Sequence, residues 1–77
     1  MHNDTPQNEL ILLAEQYLTN RGLSYVKPGE IGRHKGNKIE VIFLKPEALN
    51  PKMVIDPPDM RMWVDRETKE VTWIWQI

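Results

Sequence analysis

The chain of 77 residues contains no cysteine, so neither disulfide bonds nor zinc–thiolate sites can stabilise its fold. Histidine is scarce, with only His2 and His34, and no carboxylates are spaced to complete a two-histidine metal site. Serine occurs once, as Ser24, and no nucleophile-elbow pattern surrounds it. The sequence therefore predicts a protein without metal, cofactor or enzymatic activity, which is held together by apolar burial.

Long apolar runs are also missing. The longest is Leu10–Ala14, far shorter than the roughly 20 residues that a membrane-spanning helix needs. No charged-then-apolar N-terminal segment resembles a signal peptide. A chain without cysteine is compatible with a reducing compartment, so we expect a cytoplasmic protein that does not contact a membrane.

A strong net charge of one sign is absent, because the formal net charge is −1. This value argues against a general nucleic-acid binder, which is usually strongly basic. The charge is unevenly distributed, however. Residues 1–20 carry −3, residues 21–38 carry +4 and the remainder carries −2. The locally basic middle of the chain indicates a surface oriented towards a partner.

The first regular element is predicted to be a helix. Thr5 followed by Pro6 is typical of a helix start, with proline at the first helical position. Gly22 is expected as the left-handed residue after the helix, with Leu23 folded back onto its last turn. Apolar residues recur with helical spacing and form one stripe: Leu10, Leu13, Ala14, Tyr17 and Leu18.

After the helix, the apolar period changes from 3.6 to 2, which predicts strands. We expect turns at 27–29 and 36–37, and at most a short edge segment at 53–55 among the prolines. The predicted strands begin within Leu23–Val26 and continue with a central strand Ile39–Leu44, then Met60–Val64 and Val71–Ile77. The predicted fold is a single α+β domain over 1–77, with 1–4 disordered and the helix packed on a three- to five-stranded antiparallel sheet.

The last two strands divide their aromatic residues between two faces. Trp73 and Trp75 share one face, and we expect them in the core under the helix with Leu13 and Tyr17. Pleating sends Ile74 to the opposite face, and the register decides whether Trp63 and Arg61 join it. A patch of Trp63, Ile74 and Arg61 has the composition of a protein-binding hot spot or of a dimer seam.

The segment 27–38 combines three glycines with basic side chains. Glycine lets backbone N–H groups approach an anion, although no P-loop pattern or following helix is present. A solvated hairpin loop is the favoured interpretation; contact with phosphate or nucleic acid, and docking of an acidic protein, are the alternatives. The candidates for anion or nucleic-acid contact are Lys27, Arg33, His34, Lys35 and Lys38.

The segment Met62–Val71, with its Val64-Asp65 and its Thr68-Lys69, resembles the V-D-x-x-T-G-x-V hairpin that closes PepSY and related cystatin-like domains. Lys69 stands where that family usually has glycine. The resemblance implies a helix followed by an antiparallel sheet. The same plan is similar to that of small bacterial immunity proteins and inhibitors, which bind and block a partner enzyme.

A second likeness runs from the helix through Gly32-Arg33-His34 to Ile39, which resembles the start of small HicA-type RNA-binding toxins. Arg33 interrupts the glycine-serine-histidine signature of that group. Taken together, the sequence favours a non-enzymatic protein-binding module, such as an inhibitor or immunity-type protein. Its expected partner is another protein or a second copy of itself. The alternative is a nucleic-acid-binding domain that uses 27–38.

Overall fold

A computed structural model of the chain describes residues 6–55 and 57–74. One helix is followed by four strands, and the helix packs against one face of the four-stranded antiparallel sheet. This arrangement confirms the predicted α+β class. The elements are α1 Gln7–Asn20, β1 Val26–Lys35, β2 Lys38–Leu44, a 3₁₀ helix Pro46–Leu49, β3 Asp59–Asp65 and β4 Val71–Trp73.

The two ends of α1 differ in how well the sequence predicted them. Pro6 lies at the N-cap and not at the first helical position, while Thr5 lies outside the described residues. The C-terminal end is as predicted. Gly22 has a φ of 70°, and the N–H of Leu23 donates to the carbonyl of Leu18 at 3.0 Å. This Schellman motif satisfies carbonyls that the last turn would otherwise leave unbonded.

The sheet follows the order of the chain, β1-β2-β3-β4, and every neighbouring pair is antiparallel. Lys35 is paired with Lys38 across the predicted turn, and Gly36 in that turn has a φ of 61°. Positive φ at the first central residue is typical of a two-residue hairpin with glycine there. β2 pairs with β3 along its whole length, which confirms the predicted central strand.

The predicted turn at Lys27-Pro28-Gly29 is wrong, because these residues lie inside β1. A Cβ atom on Gly29 would lie 2.6 Å from Cζ of Phe43 and 3.2 Å from Cγ2 of Ile11. The glycine is therefore needed for close packing of a phenyl ring and not for a turn. The predicted solvated loop 27–38 is accordingly a paired strand and a tight turn. The first strand starts at Val26, at the end of the predicted range, and residues 53–55 form no strand.

The core lies between α1 and the facing side of the sheet. Tyr17 stacks on Trp73 with ring centroids 6.4 Å apart, and both rings are half-buried at the margin of the core. Trp75 lies outside the described residues, so its expected place in the core stays a prediction. The buried apolar side chains are Leu10, Ala14, Leu18, Ile39, Val41, Phe43, Met60, Met62 and Val64.

The turn between β3 and β4 is organised by the side chain of Asp65. Its Oδ1 accepts hydrogen bonds from the backbone N–H groups of Glu67 at 2.8 Å and Thr68 at 3.0 Å. These bonds stabilise the carboxylate and lower the pKa of Asp65. Lys69 follows with a φ of 63°, so a lysine occupies the left-handed conformation that glycine would adopt more easily.

Candidate functional site

The face of the sheet opposite α1, here called the open face, is shaped by a β-bulge in β1. Ile31 is paired with Val41 and His34 with Ile39, so Gly32 and Arg33 together oppose the single residue between Ile39 and Val41. That single residue is Glu40. The bulge directs the N–H of Arg33 at its carboxylate.

Glu40 is fully buried, with 0% of its surface exposed, although it lies on the open face. Its Oε1 accepts from the backbone N–H of Arg33 at 3.0 Å and from Nε at 3.2 Å, while Oε2 accepts from Nη2 at 2.9 Å. A Cβ atom on Gly32 would overlap this carboxylate and lie 2.9 Å from Cδ1 of Ile42. Glycine at 32 therefore provides the space in which the carboxylate is buried.

The ionised form of Glu40 is strongly favoured. The side-chain hydrogen bonds from Arg33 are the largest cause, followed by its backbone hydrogen bond and by the positive charges of Arg33 and Arg61, and together they outweigh burial. They lower the pKa of Glu40 to about 2. At neutral pH this carboxylate is a permanent anion between two guanidinium groups.

Arg61 continues the charged arrangement onto β3. Its Nη1 lies 3.5 Å from Oε2 of Glu40, and its Nη2 lies 3.2 Å from Oδ2 of Asp59. The four side chains form a row of alternating charge across three strands, here called the charge ladder: Arg33, Glu40, Arg61 and Asp59. Because Asp59 and Glu40 both hold the guanidinium of Arg61, its orientation is fixed while 36% of the side chain remains exposed.

Apolar side chains flank the charge ladder. Arg61 is paired with Ile42 of β2 on one side, and on the other side the N–H of Ile74 donates to its carbonyl at 3.1 Å. Trp63 is paired with Thr72, and the guanidinium of Arg33 lies 5.4 Å from the centroid of a Trp63 ring. The register therefore places the predicted Trp63, Ile74 and Arg61 on one continuous surface, each of them half-buried.

The five basic candidates do not form one surface. Lys35 and Lys38 are paired with each other on the open face, near Arg33. His34 is paired with the core residue Ile39, so its side chain is on the side of the sheet that faces the helix. Lys27 lies with its Nζ 3.6 Å from Oε1 of Glu15 in α1. Only three of the five candidates therefore share a face.

A small polar cleft of about 340 Å³ lies at the hairpin end of the open face. Two like charges placed directly opposite one another on neighbouring strands are locally unfavourable. Here the paired lysines stand beside an aromatic ring and one carboxylate. The lining residues are Lys35, Asn37, Lys38, Trp63 and Asp65.

Sequence reasoning missed the central residue of the open face. In the sequence, Glu40 only interrupts the apolar strand Ile39–Leu44, whereas in the structure it anchors the charge ladder. The available signal was a single acidic residue inside a run of β-branched side chains, with arginines in the flanking strands. Within 6–55 and 57–74, no group of three histidine or acidic side chains is arranged for a metal ion, and no helix has both the length and the apolar character of a membrane span.

No family model, curated protein or solved structure matches this chain. The likeness of Met62–Val71 to PepSY and cystatin-like hairpins therefore stays a prediction. The same holds for the likeness to HicA-type toxins, which runs from the helix through Gly32-Arg33-His34 to Ile39.

Proposed function

We propose that the chain is a non-enzymatic, cytoplasmic protein-binding module of inhibitor or immunity type, and that the open face is the surface that contacts its partner. The observation that carries the proposal is the environment of Arg61. Its guanidinium is held by two carboxylates and is flanked by Ile42, Trp63 and Ile74. Tryptophan and arginine dominate the energetics of protein interfaces, and a fixed arginine loses less entropy on binding.

The electrostatics of the open face support binding more than catalysis. A general acid or base needs a pKa close to the working pH, so that it can both give and take a proton. The interactions around Glu40 drive its pKa in the opposite direction, to about 2. The buried carboxylate therefore acts as a structural anion that orients Arg33 and Arg61 for contact with another molecule.

Site-specific photocrosslinking would test the open face in the organism that encodes the chain. A photoreactive residue replaces Leu44, which is 43% exposed on the open face, or Leu12, which is 50% exposed on the outer side of α1. We expect a specific protein to be crosslinked from position 44 and not from position 12. Equal labelling from both positions would contradict the proposal.

The crosslinked partner, once purified, allows a quantitative test. We expect Trp63→Ala and Arg61→Ala each to weaken its binding by about thirtyfold or more, the size of an interface hot spot. Leu12→Ala is the matched control and should bind as the wild type does. Full affinity in both open-face variants would rule out the open face as the binding surface.

Self-association is the other way in which the open face could be covered. Sedimentation velocity of the wild type, Trp63→Ala and Ile74→Lys distinguishes the two cases, with thermal melts to verify that each variant folds. A wild-type dimer that both variants convert to monomer would identify a second copy as the partner. A monomer at all concentrations would leave a different protein as the proposed partner.

The paired lysines at the hairpin end favour a second candidate function, contact with nucleic acid. Lys35 and Lys38 could hold a phosphate while a base contacts Trp63, since aromatic rings and cations serve single-stranded binders in this way. Titration of labelled RNA and DNA at about 150 mM salt tests this. Binding tighter than about 10 μM that is lost in Lys35→Gln plus Lys38→Gln would favour this second function over protein binding.

A further inference from the structure

The two edges of the sheet differ in their protection against pairing with another strand. β1 carries Pro28, which has no N–H, together with two register irregularities and the charged Glu30, Arg33 and Lys35. Proline, bulges and charges are the features by which natural proteins prevent edge pairing. The opposite edge, β4, is Val71–Trp73, and it is regular, uncharged and free of proline.

The backbone of β4 directs a set of hydrogen-bonding groups away from the sheet. The N–H of Ile74 donates to the carbonyl of Arg61 at 3.1 Å, and the carbonyl of Glu70 accepts from the last N–H of β3 at 2.9 Å. Alternate residues of an antiparallel strand bond to opposite sides. The N–H and C=O groups of Val71 and Trp73 therefore point outward, in position to pair with an added strand.

A cleft of about 510 Å³ adjoins this edge on the side of the helix. The stacked rings of Tyr17 and Trp73 form part of its wall, and the guanidinium of Arg21 lies 4.5 Å from the centroid of the Tyr17 ring. Among the described residues, Arg21 is the only charged one that lines it. The lining residues are Tyr17, Arg21, Leu23, Val71, Thr72 and Trp73.

We infer that the outer edge of β4 and this cleft bind an extended segment of a partner protein by antiparallel strand addition. Side chains opposite Val71 and Trp73 would enter the cleft, with an apolar group against the rings and a carboxylate beside Arg21. The inference rests on the proposed function only in that the partner is a protein. It concerns a surface other than the open face.

The charges favour a partner segment over a second copy of β4. In a symmetric pair of β4 strands, the side chains that reach the cleft are those of Val71 and Trp73, neither of which is acidic. Glu70 alternates to the other side of the strand, away from Arg21. A three-residue edge also forms few hydrogen bonds, so a stable complex needs the additional contacts of a side chain in the cleft.

The probe is the blocked peptide acetyl-Glu-Thr-Val-Thr-Val-Thr-Glu-amide, titrated into the ¹⁵N-labelled full chain. Its valines and glutamates share one face, and a glutamate at each end allows either register to meet Arg21. We expect amide shifts at Val71, Trp73 and Arg21. A glutamine version should bind about two- to fivefold more weakly, the usual effect of one exposed ion pair.

Variants of the protein and of the peptide distinguish strand addition from other modes of binding. Val71→Pro removes an outward N–H without removing a bond to β3, and we expect it to weaken binding at least about tenfold, the effect of losing a ladder hydrogen bond and its geometry. Arg21→Gln should weaken binding about two- to fivefold. Trp63→Ala on the open face should bind the peptide as the wild type does.

Methylation of both valine N–H groups of the peptide blocks the complementary hydrogen bonds, which the peptide donates to the outward carbonyls of β4, without changing the protein. It replaces Val71→Pro as the test if a thermal melt shows that this variant does not fold. The absence of shifts at about 5 mM peptide would overturn the inference, as would undiminished binding of the methylated peptide. Binding lost only in Trp63→Ala would assign the peptide to the open face. None of these results alters the Leu44 crosslinking test, so the two proposals can fail independently.

Discussion

The two faces of the sheet bury side chains in different ways. On the side of α1, Leu10, Leu18 and Phe43 exclude water by apolar packing. On the open face, Glu40 is just as buried, but it is ion-paired with Arg33 and Arg61 and is paired across the strands with Trp63. In the described part of the chain, one α-helix therefore covers one side of the sheet, and a row of paired charges lies on the other.

Apolar burial on the helix side and ion pairing on the open face contribute to stability in different ways. Apolar burial is non-directional and scales with the area removed from water. A buried ion pair contributes little net stability, because the loss of hydration opposes the attraction, yet removing one partner is costly. The helix side should therefore dominate stability, while the open face should add geometric order and sensitivity to pH.

The largest effect is expected in the apolar core. Leu18→Ala removes a fully buried side chain, and we expect the free energy of unfolding to fall by about 2 to 5 kcal/mol. Leu12→Ala, in the same helix but 50% exposed, is the control and should cost less than about 0.5 kcal/mol. Urea denaturation measures both. Similar losses in the two variants would show that the helix packs with a different face.

Acid should act on the open face before it acts on the core. The pKa of Glu40 is lowered from 4.5 to about 2 in the folded chain. Its ionisation therefore contributes stability that is complete above pH 4.5 and is lost as the pH falls towards 2. At pH 2, the free energy of unfolding should be lower by at most roughly 3 kcal/mol from this residue. Urea denaturation at pH 7, 4, 3 and 2 measures the free energy of unfolding. A free energy of unfolding that does not change between pH 4 and pH 2 would contradict the ion pairing of Glu40.

Glu40→Gln isolates that contribution. The variant keeps the shape of the side chain but removes the charge, and we expect a loss of about 1 to 3 kcal/mol at pH 7 together with a weaker dependence on acid. Glu30→Gln, on the exposed edge strand, is the matched control and should change stability little. If the two glutamine variants were equally stable, the charge ladder would have no structural role.

The smallest effect lies outside both faces, in the turn at Lys69. A non-glycine residue with a φ of 63° is strained, whereas glycine adopts this conformation freely but loses more entropy on folding. We expect Lys69→Gly to raise the free energy of unfolding by about 0.5 kcal/mol. Thr68→Gly, one residue earlier, should lower it. A destabilised Lys69→Gly would show that the contact of Lys69 with Glu9, at 3.5 Å, matters more than the strain.

Local signals in the sequence predicted the parts of the fold that depend on neighbouring residues. Gly22-Leu23 at the end of α1 and Gly36-Asn37 at the first hairpin are examples, because their geometry is set within a few residues. The alternation in β3 and β4 predicted which residues within each strand share a face, whereas the face of Trp63 relative to β4 depended on the register, which pairs it with Thr72.

The remaining features depend on contacts between distant residues. The sequence around Gly29 predicts a turn, because nothing near it in sequence reveals that the ring of Phe43 packs against its Cα. Glu40 was overlooked because its partners come from two other strands, and the bulge that brings Arg33 to it is not visible in the local pattern. The division of the basic side chains of 27–38 between two faces also depends on contacts with distant residues, here the pairing of β1 with β2.

The order of the strands has a consequence for the speed of folding. Since β1-β2-β3-β4 repeats the order of the chain, each strand pairs with its neighbour in sequence, and the loss of loop entropy before the first contact is small. The two-residue turn at 36–37 makes the first hairpin the easiest to form. Residues 45–58 form the longest connection, so pairing of β2 with β3 is expected to set the folding rate.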